Sequence, residues 1–111
     1  MKSLVILAAI ALGAVLYTVS AQSQQLETRT ANADNGDRLA SRWCSSCHVV
    51  AANQRQVTGE APPFATIARK PGFDAAKIAL FLLDPHPKMP DMGLSRVEAA
   101  DLAAYIGTLA K

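Results

Sequence analysis

The segment SRWCSSCHVV, Ser41 to Val50, contains both cysteines of the chain, and a histidine follows the second directly. Cys44 and Cys47 are close to one helical turn apart, so on a helix both thiols leave the same face. His48 then adds a nitrogen donor beside the two sulfurs. Few folds accommodate that density of chemistry. The options are a disulfide-stapled domain, a metal-bound knuckle, a thiol-redox protein, or a chain folded around a group bonded to both sulfurs. Each makes a different demand on the rest of the sequence.

The first demand concerns compartment and size. The chain begins Met1-Lys2-Ser3, runs almost unbroken through apolar residues from Leu4 to Leu16, and reaches Val19-Ser20-Ala21. A positive start, an apolar middle and small residues before a cut describe a secretory signal peptide over residues 1–21, cleaved after Ala21. Leu4 to Val19 spans 16 residues, short of the roughly 20 that cross a bilayer. An uncleaved tether is the alternative, and membrane contact is expected only in that case. Residues 1–21 contain one lysine and no acid, so the remainder carries ten basic and nine acidic residues, net +1. Near-neutrality argues against nucleic acid as a partner. The 90 residues that remain include few aromatics, and domains of this size are marginal without a staple. Something besides side chains is expected in the middle.

The second demand concerns local structure. Gln22 to Asn32 is polar and without period, a flexible leader (22–32), and the domain proper covers 33–111. A first helix is expected from about Ala33 to Cys47, with Gly36, Leu39, Ala40, Trp43 and Cys47 on one face. Val49 to Pro63, with Gly59, Pro62 and Pro63, reads as loop, and Phe64 to Arg69 as a short helical turn stopped by Pro71-Gly72. A second helix is expected from about Asp74 to Leu83, ended by Pro85. DPHPKMPDMG, residues 84–93, then forms a stiff extended loop, because its three prolines lack backbone donors and fix their own dihedrals. Ser95 and Glu98 form a capping box that opens a last helix, with Leu102, Tyr105, Ile106 and Leu109 on one stripe. No alternating strand pattern occurs. The fold class is all-α, three to four short helices joined by long loops.

These demands sort the options. Thioredoxin-like disulfide chemistry belongs beside a βαβ pattern, which is missing here. Structural zinc needs four ligands. Cys44, Cys47, His48 and His86 supply the number, but adjacent Cys47 and His48 would both have to turn onto one ion. The remaining option is covalent haem, for which C-x-x-C-H is the attachment signature. Cys44 and Cys47 would carry thioethers, and His48 would lie under the iron. For the second axial position the loop holds Met89, Met92 and His86.

The sequence at this point resembles the small monohaem class I cytochromes c, over roughly Ala33 to Lys111. Three motifs in order carry the resemblance: NGDRLASRWCSSCH, then APPF, then HPKMPDMGLSRVEAADLAAYIGTL. It implies one covalent haem c and the cytochrome c fold wrapped around it. Cys44 and Cys47 are then the attachment residues, and His48 and Met89 the axial ligands. Met92 and His86 are the runners-up for the second position. The resemblance further implies that the Pro62 carbonyl accepts a hydrogen bond from the His48 ring. Leu39, Phe64 and Leu94, with Ile67, Leu82 and Ile106, are expected around the pocket. Gly36 is expected to let the first helix cross the last near Leu102 and Tyr105.

With both axial positions filled, the implied role is a one-electron carrier of the bacterial periplasm, not an enzyme. Its partners would be redox proteins such as a dehydrogenase, an oxidase or a membrane cytochrome complex. The alternatives are a cytochrome subunit bound permanently to a dehydrogenase, and a haem sensor or gas-binding module. Arg42, Arg55, Arg69, Lys70 and Lys88 are the positive residues available for docking, and they form no dominant patch against nine acids.

Overall fold

A computed structural model describes residues 30–54, 61–84 and 87–111. The signal-peptide reading of residues 1–21, most of the leader, Arg55, Gly59, Pro85 and His86 lie outside the described residues. Ala31 to Lys111 form one compact unit. It contains α1 (Ala33–Trp43), α2 (Phe64–Ala68), α3 (Ala75–Leu83) and α4 (Arg96–Thr108), and no strand occurs among the described residues. None of their helices is long and apolar enough to cross a membrane.

Local chemistry sets the helix ends. The Asn32 side chain caps α1 by accepting from the Asn35 amide, and Asp34 in the first turn and Arg42 in the last both suit the helix dipole. The Asp74 carboxylate caps α3 at the amides of Ala76 and Lys77. The Ser95–Glu98 box is complete in both directions, and the hydrogen bonds from Ser95 hold the Glu98 carboxyl below its ordinary pKa.

α1 ends earlier than its apolar period predicts. The helix stops at Trp43, and the amides of Cys44 and Ser45 both turn onto the Ala40 carbonyl. Ser45 also donates from Oγ to the Ser41 carbonyl at 2.6 Å, the local backbone competition that weakens serine in helices. Cys47 therefore lies on a turn beyond the helix. Gly36 and Ala40 are buried as expected, whereas Trp43 and Cys47 are exposed.

α4 packs against α1, α2 and α3, which explains why it is apolar on more than one side. Ala99, Leu102, Ala103, Tyr105 and Ile106 are all buried. Asp101 is buried with them, accepting from the Asn32 amide at 2.7 Å and from Asn35 Nδ2 at 2.8 Å. This carboxylate ties the start of α1 to the middle of α4. The two helices cross at Gly36, where a Cβ would meet the Asp101 carbonyl and come within 2.7 Å of the Tyr105 Cβ. The crossing thus lies on Tyr105, as expected, and on Asp101, the residue before Leu102. Alanine would favour an isolated helix by about 1 kcal/mol, but overpacking costs about 1–3 kcal/mol and involves backbone here. Gly36→Ala should therefore lower the melting temperature by about 5 °C or more; a rise in thermal scans would mean that the crossing is looser than it looks.

Candidate functional site

The turn after α1 carries the cysteines. The Cys44 carbonyl accepts from the amides of both Cys47 and His48, at 3.1 and 2.9 Å, so the turn closes on itself. Cys44 is buried, Cys47 is exposed, and no disulfide joins them. With no haem attached, burial first, and then the neighbouring Cys47, push the Cys44 pKa up to about 11.

His48 follows with its ring fixed. Nδ1 donates to the Pro62 carbonyl at 2.7 Å, which leaves Nε2 with the ring's available lone pair. The ring also lies 5.1 Å from that of buried Phe64, tilted by 50°, within the usual range for aromatic pairs.

The next carbonyls are each held by a different segment. The Phe64 amide donates to Val49 at 3.0 Å, and the Tyr105 hydroxyl donates to Val50 at 2.7 Å. Burial, and then the Asp37 carboxylate, push the Tyr105 pKa up to about 12, so its hydroxyl remains a donor throughout the neutral range.

Cys44, Cys47, His48, Pro62 and Phe64 all line one cleft of about 930 Å³, at the upper end of the roughly 300–1,000 Å³ of small-molecule sites. α2 contributes Ile67 to its wall, α3 contributes Ile78, Phe81 and Leu82, and α4 contributes Ile106. The loop before α4 contributes Met89, Pro90 and Met92. Both methionines are half-buried, but only Met89 packs against the hydrophobic core. Met92 sits beside Gly93, whose φ of 62° closes a turn in which its amide donates to Asp91 Oδ1.

Two of the core residues expected around the pocket do not form the cleft wall. Leu39 and Leu94 do not line the cleft; their contacts go to the hydrophobic core. Helical period identifies an inward face without distinguishing a core from a cleft. Lys70, Lys77, Lys88 and Asp74 are the cleft's charged residues, and Lys77 was not among the expected ones. Trp43 also lines the cleft, and the Arg42 guanidinium stacks 4.9 Å from its ring centroid.

These residues fit a covalent haem. Two cysteine sulfurs, one imidazole with a single nitrogen uncommitted, and a thioether all line one large, mostly apolar space. A zinc site fits less well. Among the described residues no group of three or more His, Cys, Asp or Glu side chains could hold a metal ion.

Comparison with known proteins agrees. Residues 31–106 match the family described as cytochrome c oxidase, cbb3-type, subunit III. The chain is also 54% identical over 95 residues to "Cytochrome c-552" of Bradyrhizobium diazoefficiens, covering 86% of this chain and 88% of that protein. No solved structure gives a significant match. On the family match and this identity, the chain belongs to the small bacterial monohaem c-type cytochromes, electron carriers rather than enzymes, whose cofactor is a covalently bound haem c.

Proposed function

We propose that Cys44 and Cys47 carry the two thioether bonds to the haem, that His48 and Met89 are its axial ligands, and that the protein passes single electrons between larger redox proteins. The observation that carries this reading is the convergence of all four side chains on one cleft, with His48 Nδ1 already engaged by Pro62. That hydrogen bond fixes the imidazole and raises its donor strength, as second-shell partners of ligating histidines do. Met89 offers a soft, neutral sulfur, which raises the reduction potential relative to a second nitrogen ligand. Pro90 beside it stiffens the loop, and contact with the core holds the sulfur in place. Phe64, Ile67, Leu82 and Ile106 give a bound haem an apolar wall that would shield it from water. When bound, the haem iron supplies the one-electron couple itself.

We further propose that residues 1–21 are a cleaved signal peptide, that 22–32 are a leader, and that the domain 33–111 works in the periplasm. N-terminal sequencing tests the first point, since a start at Gln22 excludes a tether. An optical spectrum with an intact mass tests the central one. A reduced c-type spectrum and a mass equal to chain plus haem are expected; a mass equal to the bare chain would sink the proposal.

A second reading is favoured by the description of the matching family, which names an oxidase subunit: the chain could serve as a resident haem subunit of a larger complex. The relative of similar length is named as a cytochrome in its own right, which favours the free carrier. Gel filtration of a native extract decides between them, because comigration with a large catalytic subunit rules out free diffusion.

A further inference from the structure

We propose that Gln54 is a positioning residue of the haem-attachment turn, pinning the carbonyls of Ser45 and His48 and the amide of Val50 so that the His48 imidazole keeps one orientation. The inference rests on the reading of His48 as an axial ligand. Gln54 ends a short turn in which its amide donates to the Ala51 carbonyl at 3.1 Å, and this brings the side chain back over the attachment segment. Nε2 donates to the Ser45 carbonyl at 2.8 Å and to the His48 carbonyl at 3.0 Å. Oε1 accepts from the Val50 amide at 2.8 Å. Carbonyls only accept and an amide N–H only donates, so these partners permit one orientation of the carboxamide.

The contacts of Gln54 differ in kind from the neighbouring ones. Phe64 and Tyr105 hold Val49 and Val50 to α2 and α4. Gln54 instead joins the turn that carries the cysteines, at Ser45, to the segment that leaves it, at His48 and Val50. It therefore sets the angle between the two thiols and the imidazole. Pro62 can fix the rotation of the ring only if the backbone bearing that ring is already in place. Glutamine is suited to this role because one side chain supplies two donors and an acceptor. Glutamate of the same length supplies no donor, and methionine of similar shape supplies neither.

The test uses the haem-loaded protein with Gln54→Glu, Gln54→Met and, as a control, Tyr105→Phe. Ferric NMR reads hydrogen exchange at the His48 Nδ1–H and at the Cys47 and His48 amides, and EPR reads the g-anisotropy set by the axial ligands. Both Gln54 variants should speed exchange at these sites about tenfold or more, the scale expected for losing the two bonds from Nε2, and Gln54→Met, which also loses the bond from the Val50 amide, should do so more. They should also change the g-anisotropy and leave α4 amides at wild-type rates. Tyr105→Phe should leave g-anisotropy unchanged. A lower melting temperature with wild-type Nδ1–H exchange and g-values would overturn the proposal and reduce Gln54 to a stabilising contact. A wild-type spectrum without a paramagnetically shifted His48 ring would overturn the ligand assignment and this inference together, and is read before any variant.

Discussion

Cys44→Ala and Cys47→Ala should both weaken haem retention, and the double variant should yield mostly haem-free protein that unfolds without a sharp transition. Haem staining after denaturing electrophoresis, intact mass and thermal scans read the effect. The reasoning starts from the cleft. An enclosed apolar cavity costs about 24 cal/mol per Å³. The cleft is open, so that full rate does not apply. Its walls are mostly apolar, and a group seated against them removes that surface from water. A unit running from Ala31 to Lys111 has only about 4–12 kcal/mol of stability in total. The cleft walls therefore need the group that fills them.

The two single variants should differ. Cys44 is buried, belongs to the hydrophobic core and caps α1, whereas Cys47 is exposed. Cys44→Ala loses packing as well as a covalent bond, at a further cost of about 1 kcal/mol. It should melt lower than Cys47→Ala when both still hold haem. Equal melting temperatures would mean that the thioether alone matters at both positions.

Much of this arrangement was legible in the sequence. The capping box and the turn signals around Phe64 and Asp74 are local, and each produced the expected helix boundary within a residue. The end of α1 was misread because Trp43 and Cys47 continue an apolar period that serves the cleft rather than the core. Leu39 and Leu94 pack against the core, as their inward-facing pattern predicts; pattern cannot say which inward-facing residues also form the cleft wall. Asp101, which ties α1 to α4, and Gln54, which holds the attachment turn, went unnoticed. A lone acid inside AADLAAYIG is a visible oddity, but its partners Asn32 and Asn35 lie more than sixty positions away in sequence. Gln54 carries no local signal at all, because glutamine is ordinary in a loop. Its role exists only once the turn has brought the carbonyls of Ser45 and His48 within its reach.

The largest spectroscopic effect belongs to the sixth ligand. Met89→Ala should abolish the sulfur-to-ferric-iron charge-transfer absorption and lower the reduction potential by more than about 0.1 V, within the roughly 0.8 V that axial ligation spans. Met92→Ala should do neither. Both methionines line the cleft, so proximity alone does not select one. The proposed choice of Met89 rests on restraint: it packs against the core and is followed by Pro90, whereas Met92 is followed by a glycine with φ of 62°. A sulfur that must stay bonded in both oxidation states is better held by packing and a fixed dihedral than by a hinge. Should the band survive in Met89→Ala and vanish in Met92→Ala, the ligand is Met92, and the hydrogen bond from the Gly93 amide to Asp91 is the contact that aims it.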